Sequence, residues 1–213
     1  IPSNHYRFVN WTGTITSTNN PLAVTMRQAH SLTANFAIEN YSIAATAATN
    51  GSIVPSGVIQ VPYGGSTNFT IVAVTNYHVS NVVVDADSIG PTNAYTFDNV
   101  TNAHAISATF AIDTFRLVVT SPYGSPTPSG TNVYGWNTAL TGRLAGSPIS
   151  NAMAQYVCTG WTGTGSAPLL GSGTNTGAFN IRTNSTIDWL WLTRYRLIAT
   201  NNANGTVVTS NGW

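Results

Sequence analysis

A nine-residue segment occurs twice in the chain, and this internal repeat constrains the fold more than any other feature. The two copies read AHSLTANFA at residues 29–37 and AHAISATFA at residues 103–111, an offset of 74 positions. A strand-like segment follows each copy, at residues 41–46 and 115–120, and a third such segment lies at 195–200. We call these three segments the opening strands. Self-similarity at a fixed period indicates a repeat architecture, in which each repeat folds as one structural unit.

A second landmark lies in the middle of the repeat. It reads YRFVNWTGT at residues 6–14 and YVCTGWTGT at residues 156–164, and a looser copy begins at Tyr77. We call the first segment of the chain the head and the last segment the tail. The landmarks predict the back part of a repeat (the head) at 1–40, complete repeats at 41–114 and 115–194, and the front part of a further repeat (the tail) at 195–213.

The hydrophobic pattern within the repeats is that of β-strands. Apolar residues alternate with their neighbours in the opening strands, as at Tyr41, Ile43 and Ala45, and again around Phe36 and Phe110. This period of two predicts strands with one buried face, and no window carries a sustained apolar stripe at helical spacing. The predicted fold is therefore all-β: a tandem array of small β-sandwich or β-grasp-like modules that form an elongated rod, with little or no helix.

The charge content excludes two classes of partner. Only 6% of the residues are charged, and all seven basic residues are arginine, whereas soluble proteins carry about 25% charged residues. A net charge of +1 is too small to neutralise the phosphates of a nucleic acid or to hold the chain on an anionic membrane. No stretch approaches the roughly 20 apolar residues of a membrane span. We therefore expect no nucleic acid and no membrane insertion.

Residues that carry enzyme chemistry are few. The chain has four histidines and one cysteine. His30 and His104 hold the same repeat position, which favours a structural role for both. Cys158 aligns with Phe8 at an inward strand position, so we expect a small buried hydrophobe rather than a nucleophile. We predict that the protein is not an enzyme, and we expect no catalytic residue and no cofactor.

The acidic residues offer one candidate metal site. Asp85, Asp87 and Asp98 carry the hard oxygen ligands that calcium prefers. However, residues 85–90 fall where a hairpin between two strands is expected, and Asp is common in turns. The turn is the favoured interpretation, and we expect no metal.

The six tryptophans are interpreted mainly as core residues, and one of them is a candidate for a binding surface. Trp11 and Trp161 share one repeat position and are expected to close a core, and Trp189 and Trp191 align with core positions of the other repeats. Trp136 lies in the third copy, where loops are longer. It is the candidate for stacking on a sugar.

Three motifs carry a family resemblance: Tyr-x-Phe-x-Asn-Trp-Thr-Gly at residues 6–13, NPLAVTM at 20–26 and LTANF at 32–36. They resemble the internalin B-repeat (Listeria-Bacteroides repeat) and its divergent bacterial relatives, and residues 51–110 match the divergent form. Such repeats occur in tandem in secreted and surface proteins of bacteria. The resemblance therefore implies an extracellular or cell-surface location and a modular role.

The ends of the chain indicate assembly. Natural proteins protect β edges with lysine, and this chain has none. The head and the tail each carry an apolar face, and we expect the tail of one copy to complete the head of the next, as in donor-strand complementation. The expected function is that of a non-enzymatic structural protein of the cell surface or of an extracellular filament, a homopolymer. The expected assembly residues are Tyr195, Leu197, Ala199, Val207 and Trp213 in the tail and Tyr6, Phe8, Leu32 and Phe36 in the head.

Two alternatives remain open at this point. In the first, the chain is a window on a longer covalent array, and the same pairing occurs within one polypeptide. In the second, the protein is an adhesin or a carbohydrate-binding module that uses the third-copy loops and tryptophans, with a glycan as its partner.

Overall fold

The computed structural model describes residues 2–197, and all regular secondary structure within them is β. Strands account for 62% of the described residues and no helix occurs among them, so the predicted all-β class is confirmed. The described part of the chain accordingly offers no helix long and apolar enough to cross a membrane. The chain divides into two compact units, Ile1–Ala111 and Ile112–Trp213.

Ten described strands begin in the first unit. They are β1 (Tyr6–Gly13), β2 (Leu32–Ile38), β3 (Asn40–Ala47), β4 (Gly51–Val54), β5 (Gly57–Pro62), β6 (Thr67–Ala73), β7 (Tyr77–Val84), β8 (Asp87–Gly90), β9 (Ala94–Phe97) and β10 (His104–Ile112).

Strands β3 to β10 form two sheets around one core. The larger sheet has the order β5-β3-β10-β7-β8 and the smaller has the order β4-β6-β9. Strand β3 pairs antiparallel with β5 and parallel with β10. The period-two pattern fills the core: β6 buries Phe69 and Ile71 while its intervening residues face solvent. They pack with Ile43 of β3 and Ile106 of β10 in one apolar cluster.

The second unit contains nine described strands. They are β11 (Thr114–Thr120), β12 (Ser125–Thr127), β13 (Gly130–Gly135), β14 (Ala139–Ala145), β15 (Ile149–Ser150), β16 (Ala154–Thr164), β17 (Leu170–Ser172), β18 (Asn175–Asn180) and β19 (Ser185–Tyr195).

The strand order of the second unit matches that of the first except at one edge, where β15 precedes its partner β16 in the chain and β8 follows its partner β7. Its larger sheet runs β13-β11-β19-β16-β15, with β17 also paired to β16, and its smaller sheet runs β12-β14-β18. Strand β11 pairs antiparallel with β13 and parallel with β19, so β11 takes the place of β3 and β19 takes that of β10. The core contains Leu117, Ile181, Ile187 and Trp189.

The head forms a separate two-stranded antiparallel sheet of β1 and β2, which belongs to the first unit. Only Glu39 separates β2 from β3, and only Asp113 separates β10 from β11. The boundaries 1–40, 41–114, 115–194 and 195–213 stay predictions.

The third opening strand lies mostly outside the described residues, which end at Leu197. The sequence predicts that Tyr195 begins this strand. In the structure it instead ends β19, opposite Ala154. The ladder reaches this far because β16 begins at Ala154, and the Arg196 amide continues it by donating to the Met153 carbonyl at 2.9 Å.

Candidate assembly site

The head has the same strand pairing as the corresponding part of the second unit. Trp11 of β1 lies opposite Ala34 of β2, and Trp161 of β16 lies opposite Trp189 of β19. A β-bulge interrupts both pairs at the aligned position, between Phe8 and Asn10 in β1 and between residues 158 and 160 in β16. The head is therefore built like the middle of a complete sheet.

What the head lacks is the next strand. In each complete unit the strand equivalent to β2 lies between two strands, one of which is a parallel opening strand, β3 or β11. Within residues 2–197, β2 pairs with β1 alone. One edge of β2 is thus free of any described strand, and we call it the open edge.

The inward face of the head is less covered than its counterpart in the second unit. Phe8 contacts Trp11 and Phe36, with ring centroids 5.5 and 6.0 Å apart, and Leu32 and Trp11 are half-buried. Trp161, the equivalent of the half-buried Trp11, is 6% exposed, and Phe36 is 42% exposed whereas its equivalent Phe110 in the first unit is half-buried. The difference arises because the complete unit has a smaller sheet packed on this face.

The segment between β1 and β2 covers only part of the hairpin. Trp11 exchanges two backbone hydrogen bonds with Ser17, at 2.7 and 3.2 Å, and its Nε1 donates to the Asn19 carbonyl at 3.0 Å. These contacts occupy the β1 side, as β17 does on β16. The open edge of β2 is untouched by them.

The predicted tail residues divide at the limit of the described chain. Tyr195 is 80% exposed and Leu197 is 81% exposed. Ala199, Val207 and Trp213 lie outside the described residues. Of the head residues, Tyr6 is 45% exposed and forms the first pair of the hairpin, opposite Ile38.

The histidine positions have a shared structural task. His30 Nδ1 lies 3.2 Å from the Thr14 hydroxyl, which also accepts from the Ser31 amide at 3.1 Å. At the equivalent place His104 Nδ1 lies 2.6 Å from a carboxylate oxygen of Asp85. Both pairs tie the end of one strand to the start of its partner.

Both carboxylate oxygens of Asp85 already have hydrogen-bond partners within the protein. The second of these oxygens accepts from the Ala105 amide at 2.8 Å. Burial raises the pKa of Asp85, but the hydrogen bonds from Ala105 and His104 and the charge of His104 outweigh it, so this pKa lies below its ordinary value. Val84 pairs with Asp87 across the turn, which confirms the predicted hairpin. No group of three or more metal-ligating side chains occurs in the described part of the chain.

Cys158 is buried, 8% exposed, within the core of the second unit, which confirms the predicted inward position. Burial raises the pKa of its thiol. Its Sγ lies 3.5 Å from the Gly160 carbonyl and 3.4 Å from that of Gly173. The thiolate that a nucleophile requires is disfavoured here.

The tryptophans separate into core residues and one surface residue. Trp161 and Trp189 are buried with ring centroids 5.7 Å apart, and Trp191 packs against the same core. Trp136 is half-buried, and the Arg182 guanidinium lies 5.7 Å from its ring centroid. Arg182 therefore occupies one face of the ring that was the candidate for sugar stacking.

No family model, no curated protein and no solved structure matches the chain.

Proposed function

We propose that this is a non-enzymatic structural β-repeat protein of the bacterial cell surface or of an extracellular filament. Copies assemble head to tail, and the tail of one copy adds an opening strand to the head of the next. The open edge of β2 carries this proposal, because the equivalent strand in each complete unit, β10 or β19, has a parallel strand at that edge. The tail begins with YRLIAT, an opening-strand sequence.

The energetic argument concerns exposed apolar groups. An isolated two-stranded sheet is at best marginally stable in water, and Phe36 and Leu197 are 42% and 81% exposed. Full burial of one such side chain stabilises by about 1.5–3 kcal/mol. Joining head and tail buries several of them, an amount comparable with the total stability of a domain, about 5–15 kcal/mol.

The tail does not replace a whole module. Aligned on the first unit, tail and head together leave about 12 positions without a counterpart, residues 60–71. These positions include most of β6, with the buried Phe69 and Ile71. In the covalent-array alternative, upstream residues of a longer polypeptide supply them. In the head-to-tail assembly the completed head has a smaller core than either unit.

Removal of residues 198–213 tests the proposal and keeps every described strand of the chain. We expect the full chain to form polymers that sediment and the shortened chain to remain monomeric. A synthetic peptide of residues 195–213 should bind the shortened chain, and the same peptide with Leu197→Asp and Ala199→Asp should not. Polymers of the shortened chain, or a tail that folds onto its own head, would show the proposal to be wrong.

The rod and the family belong to the same proposal. We propose that the two units are tandem relatives of each other, which their similar strand order supports. We also propose that they are relatives of the internalin B-repeat, on the strength of the motifs at residues 6–13, 20–26 and 32–36. Small-angle scattering of the monomer should report an elongated particle, and a compact globule contradicts the rod.

A glycan array tests the alternative function, that of a carbohydrate-binding module. Binding of a glycan that Trp136→Ala abolishes would favour this alternative.

A further inference from the structure

The backbone groups at the open edge of β2 belong to alternate residues. The Ser31 carbonyl accepts from the Thr14 amide at 2.9 Å, and the Glu39 amide donates to the His5 carbonyl at 2.8 Å, so the odd-numbered residues of β2 bond towards β1. Backbone groups alternate in direction along a strand. The even-numbered residues, Ala34 among them, therefore present their N–H and C=O groups to the open edge.

The first unit shows what such groups bind. Ala34 aligns with Ala108 of β10, whose carbonyl accepts from the Ala48 amide, just beyond β3, at 2.9 Å. Sequence reasoning did not single out Ala34 as a functional residue, because its contribution is made by the backbone. The repeat alignment was the signal that locates it.

The parallel pair has one register in both complete units. In the first, His104 lies opposite Ile43 and Ala105 opposite Ala44. In the second, Ser185 lies opposite Leu117 and Thr186 opposite Val118. The repeat alignment places residue 43 with residue 117 and residue 104 with residue 185, so the two registers are the same.

We propose that a second copy of this chain binds the open edge of β2 in this same register. Leu197 then lies opposite His30, Ile198 opposite Ser31, Ala199 opposite Leu32 and Thr200 opposite Thr33. This inference rests on the proposed head-to-tail assembly and fixes its geometry to the residue.

The side chains that this register brings together suit one another. Ala199 and Leu32 take the places of Ala45 and Ile106, a pair that is 2% and 1% exposed. Leu197 takes the place of the fully buried Ile43. On the outer face, Thr200 and Thr33 take the places of residues 120 and 188, where the Thr120 hydroxyl donates to the Asp188 carboxylate. A shift by one residue would turn Leu197 and Ala199 to the solvent face.

Disulfide trapping between two separately prepared chains tests the register. Both chains carry Cys158→Ala, one also carries Thr33→Cys, and the other also carries Thr200→Cys. Paired residues on neighbouring strands are about 4.8 Å apart, within the Cα separation that a disulfide spans. The control pairs Thr33→Cys with Asn202→Cys, which is two residues out of register and about 8 Å away.

The expected result is a 33–200 disulfide, identified by mass spectrometry of proteolytic peptides, in at least about ten-fold excess over the 33–202 disulfide. An equal or larger yield of 33–202, in a mixture that still sediments as polymer under reducing conditions, overturns the register and leaves head-to-tail assembly standing. A mixture that neither sediments nor forms the 33–200 disulfide overturns both. Each chain carries one cysteine, so a tail folded onto its own head gives no 33–200 product and overturns the inference.

Discussion

At the scale of single residues, the repeat keeps positions rather than side-chain types. Thr14 and Asp85 both accept a backbone N–H and both lie within hydrogen-bond distance of a histidine Nδ1 at the end of a strand pair, although one is neutral and the other is ionised. The recurrence of histidine at positions 30 and 104 is therefore explained by the contact that each makes with the residue just beyond the partner strand. This recurrence in the sequence reflects the structural task that the repeat position has.

The Asp85 carboxylate makes the first unit sensitive to acid. Because the pKa of Asp85 is lower in the folded chain than its ordinary value of 3.8, the carboxylate stabilises the fold fully above that value. The contribution is lost as the pH falls through 3.8 and then through the folded pKa. Denaturation by urea should show Asp85→Asn less stable than the parent near neutral pH, with the difference shrinking below pH 3.8. An unchanged difference at acid pH would contradict this assignment.

Gly51 is required for space in the first unit. A Cβ atom at this position would overlap the ring of Phe110. We expect Gly51→Ala to lower the free energy of unfolding by about 1–3 kcal/mol, the usual cost of overpacking. The neighbouring Ser52 is exposed, so Ser52→Ala is the matched control and should change it by less than about 0.5 kcal/mol. Equal effects of the two substitutions would show that Phe110 does not need the space.

At the scale of elements, the strand edges differ in how they are protected. Strand β5 is an edge strand of its sheet and ends at Pro62, which has no N–H to offer. The Tyr63 amide, next in the chain, donates inward to the Glu39 carbonyl at 2.8 Å. The open edge of β2 carries no such protection. Because the chain has no lysine, the open edge is well suited to accept a strand.

A proline on β2 should block assembly without breaking the head. Ala34→Pro removes an N–H that points to the open edge, and the odd-numbered residues keep their bonds to β1. We expect polymer formation, measured by sedimentation, to be lost while the circular dichroism of the monomer is retained. Gln60→Pro is the control, because residue 60 is exposed on β5 and its N–H also points away from the sheet. Assembly that survives Ala34→Pro, or that Gln60→Pro also abolishes, would count against the open edge of β2 as the assembly site.

At the scale of the whole molecule, the described residues form two apolar clusters, each confined to one unit. Ile43 and Leu117 hold the same repeat position, and both are 0% exposed. A substitution at either residue should therefore lower the stability of its own unit and leave the other unit unchanged.

Substitution of these two residues measures that independence. Ile43→Ala should destabilise the first unit by about 2–5 kcal/mol, and Leu117→Ala should do the same to the second. Hydrogen exchange should show faster exchange only in the unit that carries the substitution. Faster exchange throughout the chain after either change would indicate one cooperative core.

The sequence by itself determined the all-β class, the positions of the first two opening strands and the inward positions of Cys158 and Trp161. These follow from the alternation of neighbouring residues and from the comparison of one repeat with another, and neither needs knowledge of which strands pair. Only the tertiary structure decided that β3 is parallel to β10, that β11 is parallel to β19, and that Asp85 is bound to His104. It also decided that Arg182 lies over Trp136, and that Tyr195 extends β19 rather than opening a new strand. Strand direction, register and cross-strand partners depend on residues far apart in the chain, and a period-two pattern is the same whichever neighbour a strand has.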